Sequence, residues 1–289
     1  MYVSQSAAAA EAVAKYVKEY LHISGVSTAI VLGSGLTNTI DSDSDIQSGK
    51  CPLPFCDFPL PEFEDLKSLE GQPRTIEVKY INRQPILVLN GLVHMNEAIM
   101  DQKLLKAVRV QTEMLPFLGV KNLILTCAAG SLDQTSPGSQ IHTNDVVLVD
   151  GFVTLFAPPM PLFPGEFCSP EDALSPDLRD IINCNHKSHR LLQGGYAMVL
   201  GPNFESRKHD KRILAQSGAV CVGMSLVPEC CIASLHGINV LALAFITNNS
   251  TEEHSHKTNL ARLGGLKKDN RELLTKIVAE IVAGHPITA

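Results

Sequence analysis

Apolar residues recur along the chain in two rhythms. Between residues 7 and 22, Val13, Val17, Tyr20 and Leu21 fall at helical spacing in an alanine-rich stretch with Gly25 beyond its end, which predicts an opening helix. Thr28 to Leu32 is then a short continuous apolar run that breaks into Gly33-Ser34-Gly35, the pattern of a buried parallel strand entering a turn. Thr75–Tyr80 alternates like a half-buried strand, and Pro85–Leu89 reads as a central one. Leu104, Leu105, Val108, Met114, Leu115 and Leu118 predict a second helix that stops at Gly119. Strand-like runs follow at Asn122–Thr126, Val146–Val149, Tyr196–Leu200, Ala219–Val222 and Val240–Phe245. A final helix carries Leu274, Ile277, Val278, Ile281 and Val282 on one face, with Gly284 and Pro286 closing it. Asp41 to Leu66, with four prolines and few periodic apolar positions, reads as loop.

Strands alternating with helices predict an α/β fold: a three-layer α/β/α sandwich around a central mixed, mostly parallel sheet. Without an internal repeat or a shift in composition, residues 1–289 read as a single domain. Apolar residues make up 45% and charged residues 19%, which excludes intrinsic disorder. Lys and Arg number 24 against 30 Asp and Glu, a net charge of −6, so the balance offers no footprint for nucleic acid or an anionic membrane. No apolar run reaches the roughly 18–20 residues a membrane helix needs, and the N-terminus lacks a secretory pattern, so a cytoplasmic protein is expected. The eight cysteines form no C-x-x-C pair and are expected to be reduced, several of them buried.

Candidate chemistry collects where the predicted strands end. Gly33-Ser34-Gly35-Leu36 fits either an anion-binding turn or a tight strand-to-helix connection; neither the dinucleotide nor the P-loop spacing is met. His94, in Gly91-Leu92-Val93-His94-Met95-Asn96-Glu97, stands just past a strand end, where open α/β sheets place ligands, or serves structure alone. Cys127-Ala128-Ala129-Gly130 suits backbone contact with a ligand or tight packing. Phe204-Glu205 puts a hydrogen-bond acceptor beside an aromatic face, which suits a planar heterocycle; Glu205 and Glu229 fit helix-start carboxylates equally well. Asn248, after an apolar strand, can donate to and accept from one ligand edge. Glu252-Glu253-His254-Ser255-His256 lacks companion ligands at metal-site spacing, so no metal is expected.

Taken in order from about Thr28 to Ser250, these segments resemble the trimeric purine nucleoside phosphorylases of the nucleoside phosphorylase-I superfamily. The resemblance implies a pentosyltransferase that cleaves the N-glycosidic bond of purine (deoxy)ribonucleosides with inorganic phosphate as co-substrate and no other cofactor. It implies that Ser34, His94, the backbone near Ala128 and Ser225 hold phosphate, and that Phe204, Glu205 and Asn248 hold the base. Met224, Asn96 and, less directly, His256 would face the ribose, with Phe167 reaching into a neighbouring subunit of a homotrimer. Asn248, His94 and Glu205 would carry the catalysis. The partners implied are the nucleoside and phosphate.

The chain departs from that pattern in specific places. Leu92 stands where the family has a phosphate arginine, and a leucine offers no charge-assisted fork. Asn96 replaces an aromatic, the family's Gly-His-x-Gly loop has no counterpart in Glu70-Gly71-Gln72-Pro73, and Leu260 aligns with its sugar-binding histidine. Two alternatives therefore stand beside phosphorolysis: a nucleoside- or nucleobase-binding paralogue with weak or no turnover, and a nucleoside hydrolase.

Overall fold

A computed structural model describes residues 6–43, 51–98, 101–132, 141–157, 162–182, 189–201, 209–249, 255–265 and 267–284, without the side chain of His256. Helix α1 (Ala7–Leu21) buries Ala10, Val13, Ala14, Val17 and Leu21 along one face and ends at His22, whose left-handed backbone returns its N–H to the Lys18 carbonyl. Strand β1 (Thr28–Leu32) is buried throughout. The stretch expected as loop holds the short strand β2 (Leu53–Pro54) and a one-turn 3-10 helix at Phe55–Asp57. It also contributes core: Phe55, Phe58 and Phe63 are buried and in mutual ring contact. Aromatic mass in place of periodicity is what the pattern could not register.

Strands β3 (Thr75–Ile81) and β4 (Gln84–Asn90) form a hairpin. Helix α2 (Gln102–Glu113) starts on Asp101, whose carboxylate accepts from the Lys103 and Leu104 amides, and its last turn gives way to a 3-10 turn closed by left-handed Gly119. Strand β5 (Asn122–Ser131) runs five residues past its predicted end, because Cys127 to Ser131 continue the pairing with neighbours. Then come β6 (Val146–Val153), α3 (Pro176–Ile182), β7 (Leu191–Met198), α4 (Asp210–Gln216), β8 (Ala219–Gly223) and α5 (Val227–His236). Strand β9 (Asn239–Asn249) precedes α6 (His256–Gly265) and α7 (Lys267–Gly284). Of the residues expected to close the last helix, Gly284 is its final residue and Pro286 lies outside the described residues.

The strand order is β2-β3-β4-β1-β5-β8-β7-β6-β9, with β9 also pairing β5. Strands β4, β1, β5 and β9 run parallel, while β5–β8 and β6–β9 are antiparallel, so the sheet is mixed as expected. The extra β5–β9 pairing closes β5, β8, β7, β6 and β9 into a ring, a feature periodicity does not announce. Alternate residues of the central strands enter opposite cores. Ala29, Val31, Leu87, Leu89, Ala242 and Ala244 pack with α1, α2 and α5; Ile30, Leu32, Ile86, Val88, Leu241 and Leu243 pack with α7. Apolar cover on both faces is the three-layer sandwich.

Candidate active site

The parallel strands deliver their carboxyl ends to one edge of the sheet, where open α/β sheets bind ligands. Gly33 makes the first junction. A side chain there would meet the Thr126 carbonyl oxygen at 2.5 Å, so only glycine lets the turn lie against β5, and its N–H donates to the Thr126 hydroxyl at 3.0 Å. Ser34 follows on that turn, accepting a hydrogen bond from Gln72 Nε2 at 2.6 Å. The other end of the Gln72 carboxamide accepts from the Leu92 amide at 2.8 Å, which ties the turn after β1 to the loop after β4. Gly91 makes room, since a Cβ there would lie 2.4 Å from Gln72 Oε1. Leu92 itself is buried in the α1–α2–α5 core. Leu260 of α6, which the resemblance sets against a sugar-binding histidine, packs over Gly35 and Gly71.

His94 opens a one-turn 3-10 helix, Met95–Glu97. Its amide donates to Glu97 Oε1 at 3.0 Å, and its ring Nδ1 lies 3.6 Å from the same oxygen. Arg74 completes the group: Nη2 reaches both Glu97 oxygens at 2.7 and 2.5 Å, and Nη1 donates to the Lys67 carbonyl at 2.8 Å. Partial burial pushes the Glu97 carboxyl up. Hydrogen bonds from the His94 ring, Arg74 and the His94 amide, with the Arg74 charge, outweigh it and hold the carboxyl at about 2. Glu229 on α5 is the opposite case. Burial pushes its carboxyl up against the pull of its own amide, the His94 charge and the Leu226 amide, and its Oε2 has no hydrogen-bond partner among the described residues.

Ser225 and Met224 sit between β8 and α5, Ser225 buried and Met224 partly so. The Ser225 amide donates to the buried Tyr196 hydroxyl at 3.3 Å. That hydroxyl occupies the space a Gly223 side chain would need, since a Cβ on Gly223 would lie 2.2 Å from it, so Gly223 and Tyr196 are fitted to each other. Leu226, next in line, holds a left-handed φ of 76°, uncommon for a branched residue. Burial pushes the nearby Cys127 thiol up to about 12 against hydrogen bonds from Tyr196 and Ser225, which disfavours its thiolate form.

Asn248 is buried at the end of β9 opposite Gly130 of β5, where a Cβ on Gly130 would lie 3.1 Å from Asn248 Nδ2. The Thr247 hydroxyl, within reach of the Ala129 carbonyl oxygen at 3.2 Å, donates to Asn248 Oδ1 at 2.9 Å. Ala128 pairs with Phe245 just before the register shift between Ala129 and Gly130. Asn96 keeps a buried Oδ1 without a partner among the described residues, and Phe167 is 99% exposed. Phe204 and Glu205 lie outside the described residues; His256 opens α6, its side chain undescribed. Ser34, His94, Ala128, Ser225 and Asn248 thus fall on the loops and strand ends of one edge. The sequence alone does not single out Gln72, Arg74 or Tyr196, and it offers Glu97 only as part of the His94 segment. The one available signal for Gln72 was its place after Gly71, with Gly91 across the sheet as the matching gap.

The phosphorylase superfamily model matches residues 54–283. A Saccharomyces cerevisiae purine nucleoside phosphorylase is 30% identical over 230 residues, covering 76% of this chain and 71% of that one. The Bos taurus purine nucleoside phosphorylase is 27% identical over 275 residues, 90% of this chain and 89% of its own. Among solved structures, isoform 2 of purine nucleoside phosphorylase from Schistosoma mansoni, in complex with cytosine and ribose-1-phosphate, shares the fold. It has a TM-score of 0.75 at 24% identity and covers 93% of this chain and 95% of its own. With its strand order, two-faced core and crowded strand ends, the chain belongs to the phosphorylase superfamily as a divergent member alongside the purine nucleoside phosphorylases.

Proposed function

We propose that the protein cleaves purine (deoxy)ribonucleosides with inorganic phosphate, releasing the free base and the pentose 1-phosphate, without a metal or organic cofactor. Phosphorolysis of an N-glycosidic bond builds positive charge on the sugar and negative charge on the departing base. Buried Asn248, its side-chain oxygen fixed by the Thr247 hydroxyl, is the observation that supports the reading: an amide held still at a strand end suits a base nitrogen that gains charge. Glu205 and Phe204 would complete the base site. Ser34, His94, Ser225 and the Ala128 backbone would hold phosphate beneath the sugar, with Met224, Asn96 and His256 toward the ribose.

In the same reading the protein is a cytoplasmic homotrimer, and Phe167 covers a neighbour's sugar site. Support for the assembly comes from the exposure of Leu155, Phe156 and Phe167, which follow β6 in the chain, apolar side chains that a monomer would leave in water. No described helix is long and apolar enough to cross a membrane.

One observation favours a second reading. Buried Leu92 supplies no charge to an anion, which suits a nucleoside-binding paralogue with little turnover. Inosine and guanosine turnover measured with and without phosphate separates the cases. Phosphate-dependent release of base supports phosphorolysis, phosphate-independent release indicates a hydrolase, and base binding without turnover indicates the paralogue.

A further inference from the structure

With Leu92 in place of an arginine, the phosphate-facing loop contains an acid, Glu97, and the permanent cation paired with it among the described residues is Arg74. Nothing about residue 74 in the sequence suggests this. It precedes β3, and its backbone takes a left-handed φ of 57° that an arginine adopts only at a cost. The side chain is 4% exposed, so a fixed charge is buried and must be matched. It is matched by Glu97, the residue that accepts from the His94 amide and lies beside its ring.

We propose that Arg74 is the positioning cation of the anion site: by neutralising Glu97 and fixing the His94 turn, it lets an arginine-poor pocket accept a phosphate dianion. The proposal rests on the phosphorolytic reading and deepens it. Charge balance gives the reason. An ionised Glu97 without Arg74 would face the incoming anion with like charge, and like charges at close range in a partly buried site oppose binding. Paired, the two groups present no net charge, and His94, Ser34 and backbone N–H groups are left to attract phosphate. The groups facing His94 are Glu97 on its own turn, Arg74 through Glu97, and Glu229 from α5. Arg74 acts through Glu97 and is not itself assigned a contact with the anion.

The test is a calorimetric titration with inorganic phosphate, alongside hypoxanthine as a probe of the base site, on the full chain. Arg74→Met is expected to lose phosphate affinity about tenfold or more, the scale of a charged interaction, with hypoxanthine affinity unchanged. Arg74→Lys keeps the charge and retains part of the affinity. The deciding variant is Arg74→Met with Glu97→Gln. Once the carboxylate is gone the cation is no longer needed, so the double variant, which like the native pair carries no net charge, binds phosphate to within a few-fold of the native chain. That comparison stands even where Arg74→Met by itself does not fold. A double variant that binds phosphate about tenfold or more weakly than the native chain would overturn the proposal, as would Arg74→Met binding phosphate like the native chain. A native chain that binds hypoxanthine but neither binds nor uses phosphate overturns the phosphorolytic reading itself, a result separate from either.

Discussion

The Gln72 carboxamide donates to the Ser34 hydroxyl at 2.6 Å while its other end accepts from the Leu92 amide, so one buried side chain sets the spacing of the loops that follow β1 and β4. Removing it leaves a donor and an acceptor unmatched inside the protein, at about 1–3 kcal/mol for each such group. Gln72→Leu is therefore expected to lower the unfolding free energy by about 2 kcal/mol or more and to weaken phosphate binding. Denaturant unfolding and phosphate titration check both; a variant with native stability and native phosphate affinity would show the bridge to be dispensable.

Gly223→Ala drives a methyl group into the Tyr196 hydroxyl, where 2.2 Å is available. Overpacking of a rigid core costs about 1–3 kcal/mol. Tyr196→Phe removes the oxygen and is expected to recover part of that loss in the double variant, although the ring carbon Cζ still stands at 3.0 Å. Melting temperatures of the two single variants and the double variant form the cycle, and strict additivity would argue that the two residues do not collide.

Glu229 supplies a pH signature. Burial raises its carboxyl above the ordinary glutamate value, so the folded state holds the proton more tightly than the unfolded chain. Its contribution to stability is therefore full below the unfolded value of about 4.3 and falls as pH rises toward the raised folded value. Glu229→Gln cannot ionise. Its melting temperature relative to the native chain is expected to be higher at pH 7 than at pH 4; an offset that does not change with pH would place the carboxyl in water.

Arg109 of α2 joins Glu113 on its own helix to Glu166 in the loop before Phe167, and also donates to the Leu162 carbonyl at 2.6 Å. His236 meets Glu113 Oε1 at 3.1 Å from α5. Arg109→Met leaves two buried carboxylates without their shared cation, a loss of about 3–5 kcal/mol by the usual cost of breaking a buried pair. Denaturant unfolding measures that. The freed loop should also become more sensitive to limited proteolysis near Phe167, and unchanged cleavage would show that other contacts hold it.

How much of the fold and site was legible in the sequence depended on the kind of signal. Thr28–Leu32 and the final helix announce themselves because a buried strand and an amphipathic helix leave periodic traces. Ser34, His94, Ser225 and Asn248 are legible as candidates because glycine-rich or polar residues interrupt apolar runs at strand ends, and the ordered resemblance to one family implies roles for them. Gln72 and Arg74 are not. Each lies before β3, in a segment without periodicity, and each matters through a partner distant in sequence: Leu92 for one, Glu97 for the other. The Phe55–Phe63 wedge was hidden for a similar reason, since prolines around it masked the burial of its aromatics.

The closure of β5 onto β9 has a consequence for how the molecule comes into being. Asn122 pairs with Asn239 and Gly130 with Asn248, so two segments more than a hundred residues apart must meet before the ring exists. Contacts of such long sequence separation form late and slowly, because loop entropy is lost before any pairing rewards it. During synthesis, β9 is the last of the nine described strands to emerge. Asn248 therefore takes its place opposite Gly130 only once β9 has been made, and a nascent chain arrested before β9 would lack the residue proposed to meet the base.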